Sequence, residues 1–554
     1  MRVPAAQLRP LRQRELAAPA RPDALDGDGA PAARATGLLR HSTLWLILGC
    51  LAVSAVTLLY PSTPTYDPWA WILWGREIVH LDLVTTGGPS WKPLPMLYTT
   101  PFSLLGHDLA PYLWIWVSRA GGMFGCVMAW RVANRLVGGA ERRPSEDPRA
   151  AIYGALAGVA AAAALFASNK YVRDAALGNS EPLLAAVFLW GFERHLDGRR
   201  DQALYLGVAA ALLRPEAWPF LGLYGLWLWF REPRLRARMI AFAALIPAVW
   251  FLPEWWGSGE PFRAGARANA PNPGSAAYAA HPAYELFKRF AESTVAPVEL
   301  GTIIAVGVAA VAWVKRRAQG AVLALALVGF AWFALVAAMT EAGFAGNQRY
   351  LMVTTASVSV LGGVGVVRLL RGVESLGARF FGTARAGSIT AAAALVAGLA
   401  IGSPTILAKA DNTNRVQGGL KHEAYLWHDL KAMIAANGGK DALLACGGVF
   451  SGPFQTQMVA YELGIHGINV GWKVTPPPGV LFRTRTVPDG PLVTKPTDDR
   501  YRLVDQHGKW RLLTVPPAGG QTACPASSPD APTAPPPGTE GPRKAPVKVI
   551  GRDN

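Results

Sequence analysis

The sequence is poor in charged residues. They occupy 16% of its 554 positions, whereas soluble proteins carry about a quarter. Hydrophobic residues make up 51%, and runs such as Ser42–Tyr60, Ala151–Ser168 and Ile389–Leu407 each approach the ~20 residues that span a bilayer. Because no small-residue cleavage site follows a short apolar segment near the N-terminus, we expect Ser42–Tyr60 to be a retained anchor. The composition predicts a polytopic membrane protein.

Cysteine is also scarce, with four residues in the chain. No Cys/His spacing suggests zinc, and no glycine-rich phosphate loop or nucleotide-sugar motif occurs. We expect no cofactor and no metal ligands, although the sequence leaves dependence on a divalent metal open. Cys50 and Cys126 lie in apolar runs and are expected to be packing residues. Cys446 and Cys524 lie in a segment predicted to be extracytoplasmic, where thiols oxidise, so we expect them to pair.

The formal net charge of +17 is explained by the membrane rather than by nucleic acid, because Lys and Arg collect in short loops that stay cytoplasmic. With the N-terminus inside, the basic loops Arg199-Arg200, Arg231–Arg238, Lys315-Arg316-Arg317 and Arg368–Arg385 are all cytoplasmic. This regular placement of basic loops on one side predicts a multi-pass plasma-membrane protein whose C-terminal end lies outside. It also predicts no nucleic-acid partner.

Apolar segments predict about eleven transmembrane helices. The fifth is too short to cross alone, and Arg214-Pro215-Glu216 separates it from the sixth, so we interpret the pair as a broken hairpin buried in the bundle. The predicted spans are 42–60, 109–137, 151–168, 181–196, 202–213, 217–230, 239–253, 296–314, 320–340, 350–370 and 388–407.

The chain is predicted to have four parts. Residues 1–41 form a disordered cytoplasmic tail, 42–410 a transmembrane domain with a long outer loop at 61–107, 411–524 a small extracytoplasmic α/β domain, and 525–554 a second disordered tail.

Local patterns add detail to these parts. The tryptophans in Tyr66–His80 favour a helix lying in the membrane interface, and Tyr284–Phe290 is similar. Within the C-terminal domain, Glu423–Asn437 has helical spacing and Ala442–Ala445 is a candidate strand. Tyr501–Val504 and Trp510–Val515 flank a hairpin signal.

Asp67 and Lys92 are the first candidate functional residues, both in the long outer loop. A carboxylate among aromatic rings at the membrane face indicates function by default, but Asp67 is also explained as a helix cap before Pro68 or as a solvated residue. Lys92, between Trp91 and Pro93, could bind a lipid phosphate or simply extend to headgroups.

Further candidates lie at the outer ends of later spans. Arg349-Tyr350 opens the tenth span on the side where arginine is unusual, and the adjacent Asn347 and Gln348 could bind a sugar or cap the helix. Arg173 and Glu181 flank the start of the fourth span, where Glu181 could instead be an ordinary helix start. Arg214 and Glu216 are expected to form an ion pair.

The order of these residues resembles the GT-C superfamily of membrane glycosyltransferases, in particular its protein O-mannosyltransferase and aminoarabinose-transferase-like branch. The resemblance covers about residues 42–410 and depends on Asp67, Lys92-Pro93, Glu181 and Arg349-Tyr350. Two features depart from that pattern: Lys-Pro-Leu-Pro replaces the usual Lys-Pro-Pro, and Asp67 stands alone before Pro68. The Ala/Arg/Gly-rich composition is typical of an actinobacterial source.

The resemblance implies transfer of a sugar from a polyprenyl-phosphate donor to a glycan or protein acceptor, outside the cytoplasmic membrane and usually with inversion. It implies that Asp67 is the general base and that Lys92 and Arg349 bind the lipid phosphate. Glu181, Arg173, Asn347, Gln348, Tyr350, Arg214 and Glu216 are then expected to contact substrates. A transporter or lipid-linked-sugar flippase is the alternative, and it predicts midplane charges and paired broken helices in two halves.

Overall fold

The computed structural model describes residues 42–138, 148–168, 170–272, 274–315, 319–519 and 522–526. By internal contacts the chain separates into Met1–Leu48 and Gly49–Asn554, and the candidate site lies within the second unit. The tail predicted at 1–41, the tail at 525–554 except for its first two residues, and the basic pair Arg316-Arg317 lie outside the described residues.

Helices dominate the described part of the chain. Every one of the eleven apolar segments coincides with a helix, so these predictions of helix are confirmed. The helices are α1 Ser42–Thr57, α2 Tyr66–Val79, α3 Pro93–Ser103, α4 Leu109–Gly138, α5 Pro148–Ala167, α6 Tyr171–Ala176, α7 Glu181–Leu196, α8 Arg200–Leu213, α9 Trp218–Arg231, α10 Arg236–Ser258, α11 Arg263–Ala268, α12 Pro282–Ser293, α13 Ala296–Val314, α14 Gly320–Glu341, α15 Met352–Phe381, α16 Ala384–Ala436, α17 Gly439–Leu444 and α18 Thr456–Leu463.

Six helical stretches in the described residues are long and apolar enough to cross a membrane. The helix Thr43–Thr57 is apolar but shorter, and α7, α8 and α9 have 14 to 16 residues each. The count of eleven crossings therefore stays a prediction. The six stretches are Arg149–Ala167, Pro233–Ser258, Ala296–Val314, Gly320–Glu341, Gln348–Phe381 and Ala384–Ala436.

The predicted break between α8 and α9 is confirmed. Arg214 has an extended backbone, and a short 3₁₀ helix, Pro215–Ala217, follows before α9 begins at Trp218. Proline cannot donate a backbone hydrogen bond, and it disfavours the helical conformation of the residue before it. The break leaves Arg214 and Glu216 buried between two apolar helices.

Helix α2 is present as predicted, but its tryptophans are buried inside the protein rather than spread along a lipid-facing surface. Trp69, Trp71 and Trp74 are each no more than 2% exposed. The ring of Trp69 lies 5.1 Å from that of Trp427 in α16 and 5.3 Å from that of Tyr461 in α18. The interface interpretation was wrong for these side chains, because a sequence pattern shows that a face is apolar and not what covers it.

Helix α16 continues without interruption across position 410, where the sequence changes character. Its last part coincides with the predicted helix Glu423–Asn437 except for Asn437, which is the C-cap. The predicted strand Ala442–Ala445 was wrong: the segment belongs mainly to α17. Gly438 and Gly439 both have positive φ values before this helix. A run of four apolar residues does not distinguish a strand from one buried helical turn.

A small mixed sheet completes the C-terminal region. Its strands are β1 Gly448–Ser451, β2 Val470–Gly471, β3 Gly479–Arg485, β4 Leu492–Val493, β5 Arg502–His507 and β6 Trp510–Val515. The strand order is β2-β1-β3-β6-β5, and β4 pairs with β3 outside this path. The antiparallel pairing of β5 with β6 confirms the predicted hairpin, and the disulfide Cys446–Cys524 confirms the predicted pairing.

Candidate active site

The charged residues singled out in the sequence come from distant positions and meet at one place. Asp67 is the second residue of α2, Lys92 immediately precedes α3, and Glu181 is the first residue of α7. Arg214 lies at the α8–α9 break, and Arg349 lies in the 3₁₀ helix Gln348–Leu351 that precedes α15. Each is held by an element end, where side chains can project from a rigid helix toward a common point.

Glu181 is the centre of the cluster. Its Oε1 accepts hydrogen bonds from Lys92 Nζ at 3.1 Å and from Arg214 Nη1 at 2.7 Å. Lys92 also donates to Ser180 Oγ at 2.9 Å. Arg214 Nη2 lies 2.7 Å from Glu216 Oε1, which confirms the expected ion pair.

Arg349, in the 3₁₀ helix before α15, contacts two carboxylates of the cluster. Its Nη2 lies 2.8 Å from Asp67 Oδ2, and its Nε lies 4.0 Å from Glu181 Oε1. The ring of Tyr350 packs against two guanidinium groups. Its centre lies 4.1 Å from Cζ of Arg214 and 5.6 Å from Cζ of Arg349. The aromatic face therefore fixes both arginines by cation–π contact.

The local sequence explains how the backbone reaches these positions. Lys92 has an extended backbone and Pro93 begins α3, which suits proline because it has no backbone N–H to donate. The turn between α6 and α7 is fastened by two hydrogen bonds: Trp114 Nε1 donates to the Gly178 carbonyl at 2.8 Å, and Thr65 N donates to the Leu177 carbonyl at 3.0 Å. The second bond ties this turn to the start of α2, two residues before Asp67.

Burial gives the cluster its electrostatic character. Glu181, Lys92, Arg214 and Glu216 are all less than 9% exposed. Burial lowers the pKa of Lys92 from its ordinary value, and the Glu181 carboxylate opposes this shift. Three cations and three carboxylates, counting Asp67 and Arg349, balance one another in a region where charge interactions are much stronger than in water.

Unpaired polar atoms concentrate in the same place. Among the described residues, ten buried side-chain nitrogen or oxygen atoms have no hydrogen-bond partner in the chain, and five of them belong to this cluster or its border. Native proteins leave few such atoms unsatisfied, so a concentration of them points to a polar ligand or bound water. The five are Trp71 Nε1, Asp174 Oδ2, Asn179 Oδ1, Glu181 Oε2 and Arg349 Nε.

Three residues predicted to contact substrates, Arg173, Asn347 and Gln348, have partners within the protein. Arg173 Nη2 lies 2.8 Å from Glu423 Oε1, linking α6 to α16. Asn347 Oδ1 accepts from the backbone N–H of Arg349 at 3.1 Å, as a cap does. Gln348 Nε2 donates to the backbone carbonyl of Arg289 in α12. The described hydrogen bonds thus do not bring Asn347 or Gln348 into the charged cluster, although Asn347 orients the segment that carries Arg349.

Two contributors were missed from the sequence. Trp71 lies against Lys92, with Nζ 5.0 Å from its ring centre, but its position in an aromatic run suggested a lipid contact. Ser180 accepts from Lys92, although its position beside Glu181 was also explained by an ordinary helix start. Its adjacency to Glu181 was the available signal for its role.

Two further features of the described part of the chain bear on the site. It contains no group of three or more His, Cys, Asp or Glu side chains placed to hold a metal ion. A cavity of about 620 Å³ lies at the opposite end of α2, where Arg76, Glu77 and His80 face Glu462 and His466 of the C-terminal region. Since α2 rises about 1.5 Å per residue, this cavity is separate from the cluster around Asp67.

No protein-family model and no curated protein matches the chain. Solved structures that are similar include ArnT from Cupriavidus metallidurans bound to undecaprenyl phosphate, at 15% identity, and the same protein in the apo state, at 14%. In both cases 86% of this chain and 98% of that chain are covered, with a TM-score of 0.49. Likeness at this level establishes neither a shared family nor a shared activity.

Proposed function

We propose that this protein is a membrane glycosyltransferase that moves a hexosyl or pentosyl group from a polyprenyl-phosphate donor to an acceptor hydroxyl on the extracytoplasmic side. The observation that carries the proposal is the buried cluster itself. Asp67 pairs with Arg349 in a buried cluster that also contains Lys92 and Arg214, and Trp71 Nε1, Glu181 Oε2 and Arg349 Nε of this cluster have no hydrogen-bond partner among the described residues. Such a site is suited to an anionic, hydroxyl-rich ligand.

The proposed reaction follows from the charges. Asp67 accepts the proton of the acceptor hydroxyl, and the acceptor oxygen forms a bond to the anomeric carbon of the donor sugar. The bond between that carbon and the phosphate oxygen breaks, and its electron pair leaves with the polyprenyl phosphate. The sequence resemblance implies inversion at the anomeric carbon.

Lys92 and Arg349 are the proposed phosphate ligands. When the sugar departs, the phosphate changes from a singly charged diester to a monoester that carries more negative charge. Fixed cations in a site of low dielectric stabilise that developing charge more strongly than they stabilise the donor itself. Preference for the transition state over the bound donor is what accelerates a reaction.

The remaining cluster residues have supporting roles in this proposal. Glu181 holds Lys92 and Arg214 in place through one oxygen, which leaves its Oε2 for a sugar hydroxyl. Glu216 and Tyr350 hold Arg214 from two sides. The positions of Arg173, Asn347 and Gln348 support roles in orienting neighbouring elements more than direct contact with substrate.

The proposed location is the plasma membrane, with the cluster facing outward. Six apolar helices of spanning length support membrane insertion, and the predicted basic loops support a cytoplasmic N-terminus. The Cys446–Cys524 disulfide supports an extracytoplasmic C-terminal domain, since disulfides persist in oxidising compartments. Membrane lipid and a glycan or protein acceptor complete the proposed set of partners.

Binding of polyprenyl phosphate to the purified full-length protein tests the donor assignment. Native mass spectrometry should detect polyprenyl phosphate retained in preference to the matching polyprenol, which has the same tail without the charge. Lys92→Ala and Arg349→Ala should each weaken retention at least tenfold, whereas Lys431→Ala, at a half-exposed position of α16 outside the cluster, should leave it unchanged. Equal retention of the alcohol and the phosphate by the unmodified protein would contradict the proposal.

A further inference from the structure

Asp174 and Asn179 form an isolated polar pair at the turn between α6 and α7. Both residues are 2% exposed. Asn179 Nδ2 donates to Asp174 Oδ1 at 3.0 Å, and Asn179 N donates to the Asp174 backbone carbonyl at 2.8 Å. The other two side-chain oxygens, Asp174 Oδ2 and Asn179 Oδ1, are buried and have no hydrogen-bond partner among the described residues.

The two unpaired oxygens cannot form a hydrogen bond with each other while Asp174 is ionised. An ionised carboxylate and an amide oxygen are both acceptors, so neither can satisfy the other. An unsatisfied buried acceptor costs about 1–3 kcal/mol, and more when it is charged. One proton on Asp174 Oδ2 resolves the conflict, because a carboxylic acid and an amide can then exchange two hydrogen bonds in a closed ring.

We propose that Asp174 is held as a neutral carboxylic acid that donates from Oδ2 to Asn179 Oδ1, and that it is a positioning residue for the turn that carries Ser180 and Glu181. The assignment deepens the proposed function and rests on it for its catalytic meaning. Its protonation state is a separate property that can be measured without any transfer assay.

Burial favours the neutral form of Asp174, whereas most of the surrounding charges oppose it. Burial, and next the Glu181 carboxylate, raise the pKa of Asp174 to about 6, whereas Arg173, Lys170 and Arg349 act in the opposite direction. From α4, Arg119 is engaged with the Ala176 carbonyl of the same turn. A hydrogen bond that exists only in the protonated form raises the pKa further.

A neutral Asp174 has a consequence for the donor site. An ionised Asp174 would add a negative charge near Arg349, which already faces Asp67 and Glu181. Additional negative charge would weaken the attraction of Arg349 for a phosphate. A protonated Asp174 still makes two side-chain hydrogen bonds with Asn179. It adds no negative charge that would weaken the binding of phosphate by Arg349.

The contacts of the turn show how Asn179 positions Ser180 and Glu181. Ser118 Oγ donates to the backbone carbonyl of Asn179 at 3.0 Å. The next residue, Ser180, accepts from Lys92, and Glu181 follows directly. A rotation of Asn179 would therefore displace two partners of Lys92.

Infrared difference spectroscopy of the full-length protein in lipid nanodiscs tests the protonation state. At pH 7 the unmodified protein should have the C=O band of a protonated carboxylic acid, shifted in D₂O, which Asp174→Asn lacks. Glu341→Gln, in α14 outside the cluster, should retain the band. If the spectra of the unmodified protein and Asp174→Asn do not differ in this region at pH 7, Asp174 is ionised and the proposal is overturned.

A second measurement tests the positioning role through rescue. Asparagine reproduces both hydrogen bonds of a neutral acid, so Asp174→Asn should bind polyprenyl phosphate within about threefold of the unmodified protein at pH 7, whereas Asp174→Ala should bind at least tenfold more weakly. On raising the pH to 9, binding should weaken more in the unmodified protein than in Asp174→Asn, because both proteins keep Lys92 and only the first can ionise Asp174. If asparagine fails to rescue, or if the two proteins lose binding equally at pH 9, the positioning role is wrong. A protein that binds no polyprenyl phosphate would instead refute the proposed function and leave the infrared result standing.

Discussion

Arg349 Nη2 lies 2.8 Å from Asp67 Oδ2, so the proposed phosphate ligand is paired with the proposed base. A phosphate that binds Arg349 must compete with the Asp67 carboxylate for the same guanidinium. Donor binding would thereby release the carboxylate for proton transfer. The pairing links activation of the acceptor to the presence of the donor, which would limit loss of the sugar to water.

The first prediction concerns Asp67→Asn. Asparagine keeps the size of the side chain but cannot accept the acceptor proton, so transfer should fall by about 10²–10⁴-fold. Polyprenyl-phosphate binding should be retained or tightened, because the carboxylate that competes for Arg349 has been removed. A transfer assay combined with native mass spectrometry measures both effects.

The control for this prediction is Asp108→Asn, which removes an exposed carboxylate from the segment before α4 and should change neither quantity. If Asp67 is only a helix cap, asparagine serves nearly as well, and transfer stays near the level of the unmodified protein. That result would remove Asp67 from the mechanism. The structure gives no support to a cap, because no side-chain cap hydrogen bond is present at the start of α2.

The sequence predicted one membrane side for the charged residues that meet, although Arg173, which follows the same number of predicted spans as Glu181, pairs with Glu423 instead. Asp67, Lys92, Glu181, Arg214 and Arg349 each follow an odd number of predicted spans, which places them on one membrane side, and their hydrogen bonds are consistent with that parity. Segment hydropathy likewise predicted where helices occur. These features depend on local composition and order along the chain, which a single sequence contains.

Pair identities and burial could not be predicted in the same way. The pattern of tryptophans in α2 indicated an apolar face, but α16 and α18, distant in sequence, cover it. The partner of Arg173 is Glu423, 250 positions away. Such contacts are determined by the packing of whole helices, and short patterns such as Ala442–Ala445 are compatible with more than one local structure.

The second prediction concerns Glu181→Gln. Glu181 neutralises Lys92 and Arg214 at a position that is itself fully buried. Removing one partner of a buried ion pair leaves an uncompensated charge and costs about 3–5 kcal/mol. Thermal unfolding in detergent should therefore occur at a clearly lower temperature. Asp411→Asn removes the partner of Arg415 in an exposed pair of α16, which should cost at most about 1 kcal/mol, so equal effects of the two substitutions would contradict the prediction.

The third prediction concerns the Cys446–Cys524 disulfide, whose cysteines are 78 positions apart. Closing a loop of that length stabilises the folded state by about 4 kcal/mol in the chain-entropy model. Reduction should therefore lower the unfolding temperature of the C-terminal region. Ser substitutions at both cysteines should have the same effect and abolish the response to reductant. Mass spectrometry that finds both thiols free in protein purified without reductant would refute the pairing.

The final prediction is the orientation that the proposed reaction requires. Lipid-linked sugars are available on the outer face, so the cluster and the C-terminal domain must share that side. Reporter fusions after Arg200, Arg234 and Arg379 should report the cytoplasm, because those loops are basic. Fusions after Gly259, at the end of α10, and after Asn437, at the end of α16, should report the outside. A cytoplasmic signal at Asn437 would require an even number of crossings before it. The disulfide-containing domain would then face a reducing compartment, and extracytoplasmic transfer would be untenable.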